Sequence, residues 1–261
     1  MRRSDAYLVP RISYLVTGRS SCEIRDTRYE TRIRPALLCI LMLLASCDAL
    51  PGKPTQADLP LRPDQVVNFD ALYGTDCAGC HGADGRLGAA RPLNDRVYLA
   101  LAGTDRLQQL IADGVPNSLM PGFGAAAGGT LTAQQIDIIV RSMQTRWGGG
   151  EPPAGMPAYA PSTPGDAQRG GAAYATHCAG CHGTDGKGGA KGGSIVDGSY
   201  LALVSEQALR TAVICGRTDL GMPDWRGDGA GKPMSDQDVT NVVAWLSAQR
   251  AKFPGQPYGG G

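Results

Sequence analysis

Two short stretches of this chain place thiols and an imidazole at a fixed spacing: Cys77-Ala78-Gly79-Cys80-His81 and Cys178-Ala179-Gly180-Cys181-His182. On a helical turn, two such thiols lie close enough to add to the two vinyl groups of a haem, and the next histidine projects under the iron. The competing readings are a thioredoxin-like redox pair and half of a zinc site. A redox pair has no need of histidine directly after its second cysteine. A zinc ribbon needs both cysteine pairs in one compact site, and these lie 101 residues apart. Of three histidines in the chain, two occupy these places. Covalent attachment of two haem c groups is therefore the expected chemistry.

An iron held by His81 or His182 has a sixth position to fill. Met120-Pro121 follows His81 by 39 residues, and Met222-Pro223 follows His182 by 40. Thioether ligation raises the reduction potential and suits an iron that changes little between oxidation states, which is the behaviour of an electron carrier. A lone methionine is ordinarily a packing residue, but two at matching places are expected to be ligands. Met156-Pro157 lacks a counterpart, and Met143 and Met234 are expected to pack. Cys215 reads as a small buried apolar residue.

The elements that position these groups repeat. The segment from Cys77 to Gly82 recurs from Cys178 to Gly183, and Tyr98-Leu99-Ala100-Leu101 recurs as Tyr200-Leu201-Ala202-Leu203. The offset changes from 101 to 102 between them, as one extra residue in the second loop requires, and stays at 102 for Met120 and Met222. Each copy should have a helix leading into its cysteines, with Val67, Leu72 and Tyr73 or Ala167, Gly170 and Tyr174. A middle helix should run through Leu107, Leu110 and Ile111 or Leu209, Ala212 and Val213. A closing amphipathic helix should follow, started by Thr132 with Gln135 or Ser235 with Asp238. Its apolar faces are Ile136, Ile139, Val140 and Met143, and Val239, Val242, Val243 and Leu246. The expected fold class is all-α: two small domains, each built around a covalently held group that completes a core too small by itself.

The rest of the 261 residues divides by composition, and the 37 glycines and 18 prolines point to small, loop-rich units. Residues 1–46 read as a leader whose basic flank and short apolar run, from Ala36 to Ala45, are too short to span a bilayer. Leu44-Ala45-Ser46-Cys47 resembles a bacterial lipoprotein cleavage site, so Cys47 is expected to be the lipid-carrying mature N-terminus. A Pro-rich tether fills 47–61, domain one 62–148, a Gly/Pro linker 149–164, domain two 165–252 and a tail 253–261. The leader carries eight of the 25 basic residues and four of the 24 acidic ones, leaving 17 against 20 from Cys47 onward. A mildly acidic chain offers nothing to nucleic acid.

With these motifs in hand, each half resembles a class I cytochrome c domain, and the whole resembles a tandem di-haem member of that family. The resemblance implies Cys77, Cys80, His81 and Met120 around one haem, and Cys178, Cys181, His182 and Met222 around the other. It implies an aromatic four residues before the first cysteine, met by Tyr73 and Tyr174. It also implies a glycine where the first and last helices cross: Gly170 meets this, whereas Phe69 replaces it in the first half. The partner aromatic on the closing helix is Trp245, with Ser142 at the equivalent place. The family's proline, whose carbonyl accepts from the proximal imidazole, corresponds to Pro92, and the second half offers Gly193 or Ser194 instead. Arg217, Tyr98 and Tyr200 are candidates to reach propionates. The implied role is electron transfer on the periplasmic side of the inner membrane, between partners such as a quinol-oxidising cytochrome complex, a terminal oxidase or a reaction centre. The alternatives are a di-haem peroxidase and the cytochrome subunit of a periplasmic dehydrogenase. His177, the spare histidine, immediately precedes Cys178 and is badly placed for peroxidase catalysis.

Overall fold

A computed structural model describes residues 58–251, apart from 117, 149–150 and 228–231, together with residues 52, 54 and 55. The leader, Cys47 and the tail lie outside the described residues. Within the first 60 residues the described contacts are local, the Thr55 hydroxyl and N–H donating to Asp58 at 2.6 and 2.8 Å.

From Leu61 onward the described residues are helical, and β pairing among them amounts to isolated bridges. In the first half, α1 (Phe69–Asp76) leads into the short α2 (Ala78–His81), followed by α3 (Arg96–Asp113) and α4 (Ala133–Arg146). The second half repeats this as α5 (Ala167–His177), α6 (Ala179–His182), α7 (Gly198–Leu203), α8 (Glu206–Cys215) and α9 (Asp236–Ala248). Helix α3 is two segments joined at Gly103, whose φ of 67° and ψ of 170° break the helical run. The second half makes the same break with extended Val204 and the N-cap Ser205, which separate α7 from α8. The Tyr-Leu-Ala-Leu repeat is thus a helix of its own, an element that its few residues did not announce. Its Leu99 and Leu201 are the deepest part, 0 and 1 % exposed.

The helix starts follow the capping chemistry. Asn68, Asp95, Thr132, Asp166, Ser205 and Ser235 each accept a backbone N–H at the head of a helix. Thr132 with Gln135 and Ser235 with Asp238 form the expected capping boxes. Val67 falls outside the first helix and is exposed, because Asn68 starts the helix one residue later. The eight apolar residues expected on α4 and α9 are all buried, each worth about 1.5–3 kcal/mol when fully removed from water. The register departs from a single inserted residue. Thr132 and Ser235 are 103 apart, so a second extra residue lies between Met222 and Ser235.

The first and last helices of each half cross differently. A Cβ on Gly170 would lie 2.0 Å from the Asn241 carbonyl oxygen, so α5 and α9 touch backbone to backbone. Trp245 then stacks on Tyr174, with centroids 4.3 Å apart and planes at 23°. In the first half Phe69 occupies the crossing and stacks on Tyr73 at 5.4 Å. The aromatic partner is not at Ser142: Trp147, at the end of α4, meets Phe69 and Tyr73 edge-on at 5.7 and 5.1 Å. Phe69 keeps the helices apart, and a ring further along reaches the same tyrosine.

From residue 151 onward the linker has no helix or strand but is firmly held. Arg210, 2 % exposed, donates to the Ala158 carbonyl at 2.8 and 3.0 Å, to the Thr240 hydroxyl at 2.8 Å and to Asp236. A buried cation needs this many acceptors. Gln207 Nε2 donates to the Tyr159 carbonyl at 2.9 Å, and Arg106 of α3 lies over the Tyr159 ring. The halves also meet directly, since the Leu87 N–H donates to Asp219 at 3.3 Å.

Two glycine substitutions should separate crossing from propensity. Gly170→Ala forces α5 and α9 apart and is expected to destabilise the protein by about 1–3 kcal/mol. Gly74→Ala, on an open helical face with nothing within 4 Å of the new methyl group, is expected to be neutral or stabilising by about 0.5–1 kcal/mol. Denaturant unfolding of both variants beside wild type measures the difference.

Candidate functional site

The two cysteine-histidine turns are nearly superimposable in backbone. Cys77 and Cys178 cap the turns with φ of −119° and ψ of −40° and −34°. Each receives its place from the preceding helix, the Cys77 and Cys178 N–H groups donating to the Tyr73 and Tyr174 carbonyls at 2.9 and 2.8 Å. The histidine N–H donates back to the cysteine carbonyl at 3.0 Å in both turns, which closes one helical turn and brings the two thiols to one side. No disulfide joins them, and Cys77, Cys80, Cys178 and Cys181 are free thiols. Burial pushes the Cys77 thiol up to about 12, with Asp76 and Cys80 adding to the effect, and the Cys178 thiol up to about 11, with Cys181 adding to it, so both are held neutral.

After each histidine the chain must turn sharply, and only glycine can do so. Gly82 has φ 86° and Gly183 φ 81°. A Cβ at Gly82 would sit 1.8 Å from the Arg86 carbonyl oxygen, and one at Gly183 2.4 Å from that of Gly188. Tyr73 and Tyr174 hold these same glycines: Tyr73 OH donates to the Gly82 carbonyl at 2.9 Å, and Tyr174 OH donates to that of Gly183. The aromatic four residues before the first cysteine is therefore a hydrogen-bonding tyrosine that ties the helix to the loop after the histidine.

The turn back delivers a carbonyl to each imidazole. His81 Nδ1–H donates to Arg91 O at 2.7 Å, and His182 Nδ1–H donates to Gly193 O at 2.8 Å. A carbonyl only accepts, so Nδ1 carries the proton and Nε2 is left with its lone pair for a metal. Gly193 is one of the two positions expected. In the first half the acceptor is Arg91, not Pro92, because Pro92 biases the residue before it toward extended backbone and so presents that carbonyl. Arg91 and Gly193 are equivalent at an offset of 102, which puts the extra residue of the second loop just before them. Burial pushes the His81 imidazole below its ordinary value, against the opposing hydrogen bond to Arg91.

The methionine loops match as well. The Val115 N–H donates to the Met120 carbonyl at 3.1 Å, and the equivalent Arg217 N–H donates to that of Met222 at 3.0 Å. Before each loop the helix ends on a glycine with positive φ, Gly114 at 79° and Gly216 at 69°. A Cβ on Gly114 would meet Met120 and Pro121 backbone at 2.9 and 2.7 Å, and one on Gly216 would meet the Met222 and Pro223 carbonyls at 2.5 and 2.4 Å. These glycines exist to let the Met-Pro segment cross over the helix end. The repeat pairs them at an offset of 102, as it does the methionines, but no local pattern assigned them a role. Met120 and Met222 are half-buried, whereas Met143 and Met234 are 1 and 6 % exposed and pack as expected.

Other candidates sort plainly. Cys215 is fully buried, as expected, and burial raises its thiol to about 12. Arg217 is paired at 2.9 and 3.0 Å with Asp219. Tyr98 packs in the core at 9 % exposed, but Tyr200 is 41 % exposed. His177 ends α5 within the electrostatic reach of Asp238 on α9.

Each half thus offers two thiols on one turn, an imidazole with Nε2 free, and a glycine-seated methionine loop, a donor set that fits a covalently attached haem. Comparison with known proteins agrees. The sequence profile of the family described as cytochrome c oxidase, cbb3-type, subunit III matches residues 64–143 and again 165–246. The chain is 30 % identical over 182 residues to the cbb3-type cytochrome c oxidase subunit FixPc of Rhizobium leguminosarum bv. viciae, covering 66 % of this chain and 58 % of that protein. It is 30 % identical over 166 residues to the subunit FixP of Rhizobium meliloti (strain 1021), covering 59 % of this chain and 52 % of that one. Cytochrome c55X of Paracoccus denitrificans (strain Pd 1222) is 36 % identical over 90 residues, 34 % of this chain and 78 % of that one. The chain spans about half the length of the cbb3 subunits it matches. With both repeats matched, each over one cysteine-histidine turn and one methionine loop, the chain belongs to the cbb3-type cytochrome c oxidase subunit III family and is a tandem cytochrome c whose cofactors are two haem c groups.

Proposed function

We propose that this protein is an electron carrier made of two cytochrome c domains, 62–148 and 165–252, that hands electrons to a terminal oxidase. In this reading Cys77 and Cys80 hold the first haem and Cys178 and Cys181 the second. The axial ligands are His81 with Met120 and His182 with Met222. The observation that carries it is the duplicated His Nδ1 bond to a backbone carbonyl, which leaves a fixed Nε2 in each half. Haem iron, once bound, supplies a one-electron couple. The protein's own part is to hold ligands still: Tyr73 and Tyr174 brace the turns, and Gly114 and Gly216 seat the methionine loops. Ligands that do not move between oxidation states keep the reorganisation small.

Partners follow from the relatives, which are named as cbb3-type oxidase subunits. A quinol-oxidising cytochrome complex is the donor in this reading, a terminal oxidase the acceptor, and the periplasmic face of the inner membrane the place. Among the described residues no helix is long and apolar enough to cross a membrane. Attachment through lipid on Cys47 supplies the anchor, and the Pro-rich tether after it supplies the reach. The peroxidase alternative needs a distal acid-base group. His177 ends α5 directly before Cys178, on the histidine side of the second haem, and in this reading a methionine loop fills each distal side.

Three measurements test this. Met120→Ala and Met222→Ala are each expected to abolish the methionine-to-ferric-iron charge-transfer band of one haem while covalent haem staining persists; loss of a band in Met156→Ala alone would move the ligand. Intact mass of the native protein is expected to show Cys47 acylated at the N-terminus, and a mature chain without acyl mass would make it a free periplasmic carrier. A redox titration is expected to show two one-electron steps with negligible peroxide turnover. Rapid peroxide consumption with a five-coordinate haem at half reduction would favour the peroxidase.

A further inference from the structure

The loops that bring a carbonyl to each imidazole are built differently in the two halves. In the first, Ala90 ties the loop to the thiol turn, its N–H donating to the Cys80 carbonyl at 2.9 Å. The second loop is closed on itself. The Gly189 N–H donates to the Gly192 carbonyl at 2.8 Å, and Gly188 pairs with Gly193 in an isolated antiparallel bridge. Gly88 and Gly189 lie 101 residues apart, and a Cβ on either would meet the equivalent carbonyl, that of Cys80 or Cys181. The extra residue of the second loop therefore falls between Gly189 and Gly193.

This small hairpin lays Gly192 against the imidazole. A Cβ on Gly192 would lie 2.8 Å from both Cε1 and Nδ1 of His182, well inside van der Waals contact. A Cβ on Gly193, whose carbonyl accepts from Nδ1–H at 2.8 Å, would meet nothing within 4 Å. Neither glycine has a positive φ. The backbone would thus accept a side chain at either place, and at Gly192 it is the ring that excludes one. A single hydrogen bond leaves an imidazole room to rock, because the terminal torsion of histidine is broad. Backbone packed on the Cε1–Nδ1 bond takes that room away.

We propose that Gly192 is a positioning residue, whose bare backbone fixes the plane of the His182 ring and so the ligand field of the second haem. The proposal rests on the reading of His182 as an axial ligand of that haem. With a side chain at Gly192, the ring must turn, or the loop must withdraw and take the Gly193 carbonyl with it. A weaker bond at Nδ1 makes the imidazole a less basic ligand, which disfavours the ferric state.

The test is electron paramagnetic resonance of the oxidised holoprotein, with haem content counted by intact mass. The g values of a low-spin ferric haem follow the orientation of its axial ligands. Gly192→Ala is expected to shift the g values of the low-spin signal that Met222→Ala removes, and to leave the other signal in place. In a redox titration the same haem's step is expected to rise by at most about tenfold in the oxidation equilibrium, the scale of one hydrogen bond, or about 59 mV for one electron. Gly193→Ala, one residue along the same loop, is expected to leave both signals and both steps in place. An unmoved signal in Gly192→Ala, equal movement of both, or the same shift in Gly193→Ala overturns the proposal. If Gly192→Ala does not accumulate with two haems, proton magnetic resonance of the reduced wild type decides. A nuclear Overhauser effect between the Gly192 Hα protons and His182 Hε1 is expected, and its absence overturns the proposal. Failure of the ligation reading looks different: His182 Hε1 would then lack the upfield shift that a haem imposes on the ring of its axial ligand, whatever its distance from Gly192.

Discussion

The hydrogen bond from each imidazole Nδ1–H to a backbone carbonyl, at His81 to Arg91 and at His182 to Gly193, is the constraint on which the rest of each half depends. To deliver that carbonyl, the chain must reverse direction within about one loop of the helix that carries the thiols. The reversal is possible only through Gly82 and Gly183, whose positive φ and crowded surroundings admit no side chain. Tyr73 and Tyr174 clamp the same glycine carbonyls, which ties the loop to the preceding helix. A tryptophan then covers each tyrosine, and the closing helix that bears it brings the apolar face that makes the core.

The halves meet these demands with different residues. Trp147 and Trp245 do not occupy equivalent places on α4 and α9, yet both reach the tyrosine and the loop glycine, Gly85 or Gly186. The carbonyl of Leu99 is capped by Gln144 and that of Leu201 by Arg250, again from unequal positions. Gln108 with Asp137 and Arg210 with Thr240 are equivalent pairs that join middle to closing helix, one amide to carboxylate and the other guanidinium to hydroxyl. What recurs is a point in space that must be filled or a polar group that must be satisfied. The side chain that does it depends on how closely the helices cross.

The contact between the halves is asymmetric. The loop after His81 lies against the loop that leads to Met222, joined by the Leu87 N–H and the Asp219 carboxylate. Leu87 takes a φ of 59° where the second half has Gly188 at 112°, a left-handed conformation costly for leucine. Asp219 receives that N–H together with the Arg217 guanidinium, so the strained loop and the methionine loop share one acceptor. In the proposed ligation this places the polypeptide behind one iron's histidine beside the polypeptide in front of the other iron's methionine.

By itself the sequence determined the chemistry and the helical repeat. Cysteine and histidine spacing, the paired Met-Pro positions and the periodic apolar faces are local patterns, and the capping boxes at Thr132 and Ser235 formed as written. Tertiary structure decided what depends on distant segments meeting. It chose Arg91 over Pro92 as the acceptor for His81, and it brought Trp147 to the place where Ser142 is too small to serve. It made Gly114 and Gly216 the seats of the methionine loops, and it left Arg91 Nη1 buried where the halves meet. A spacing rule fixes which residues share a turn, because helical geometry is local. Which carbonyl faces a ring, or which ring fills a crossing, depends on the size of residues far away in the chain, and no local pattern carries that information.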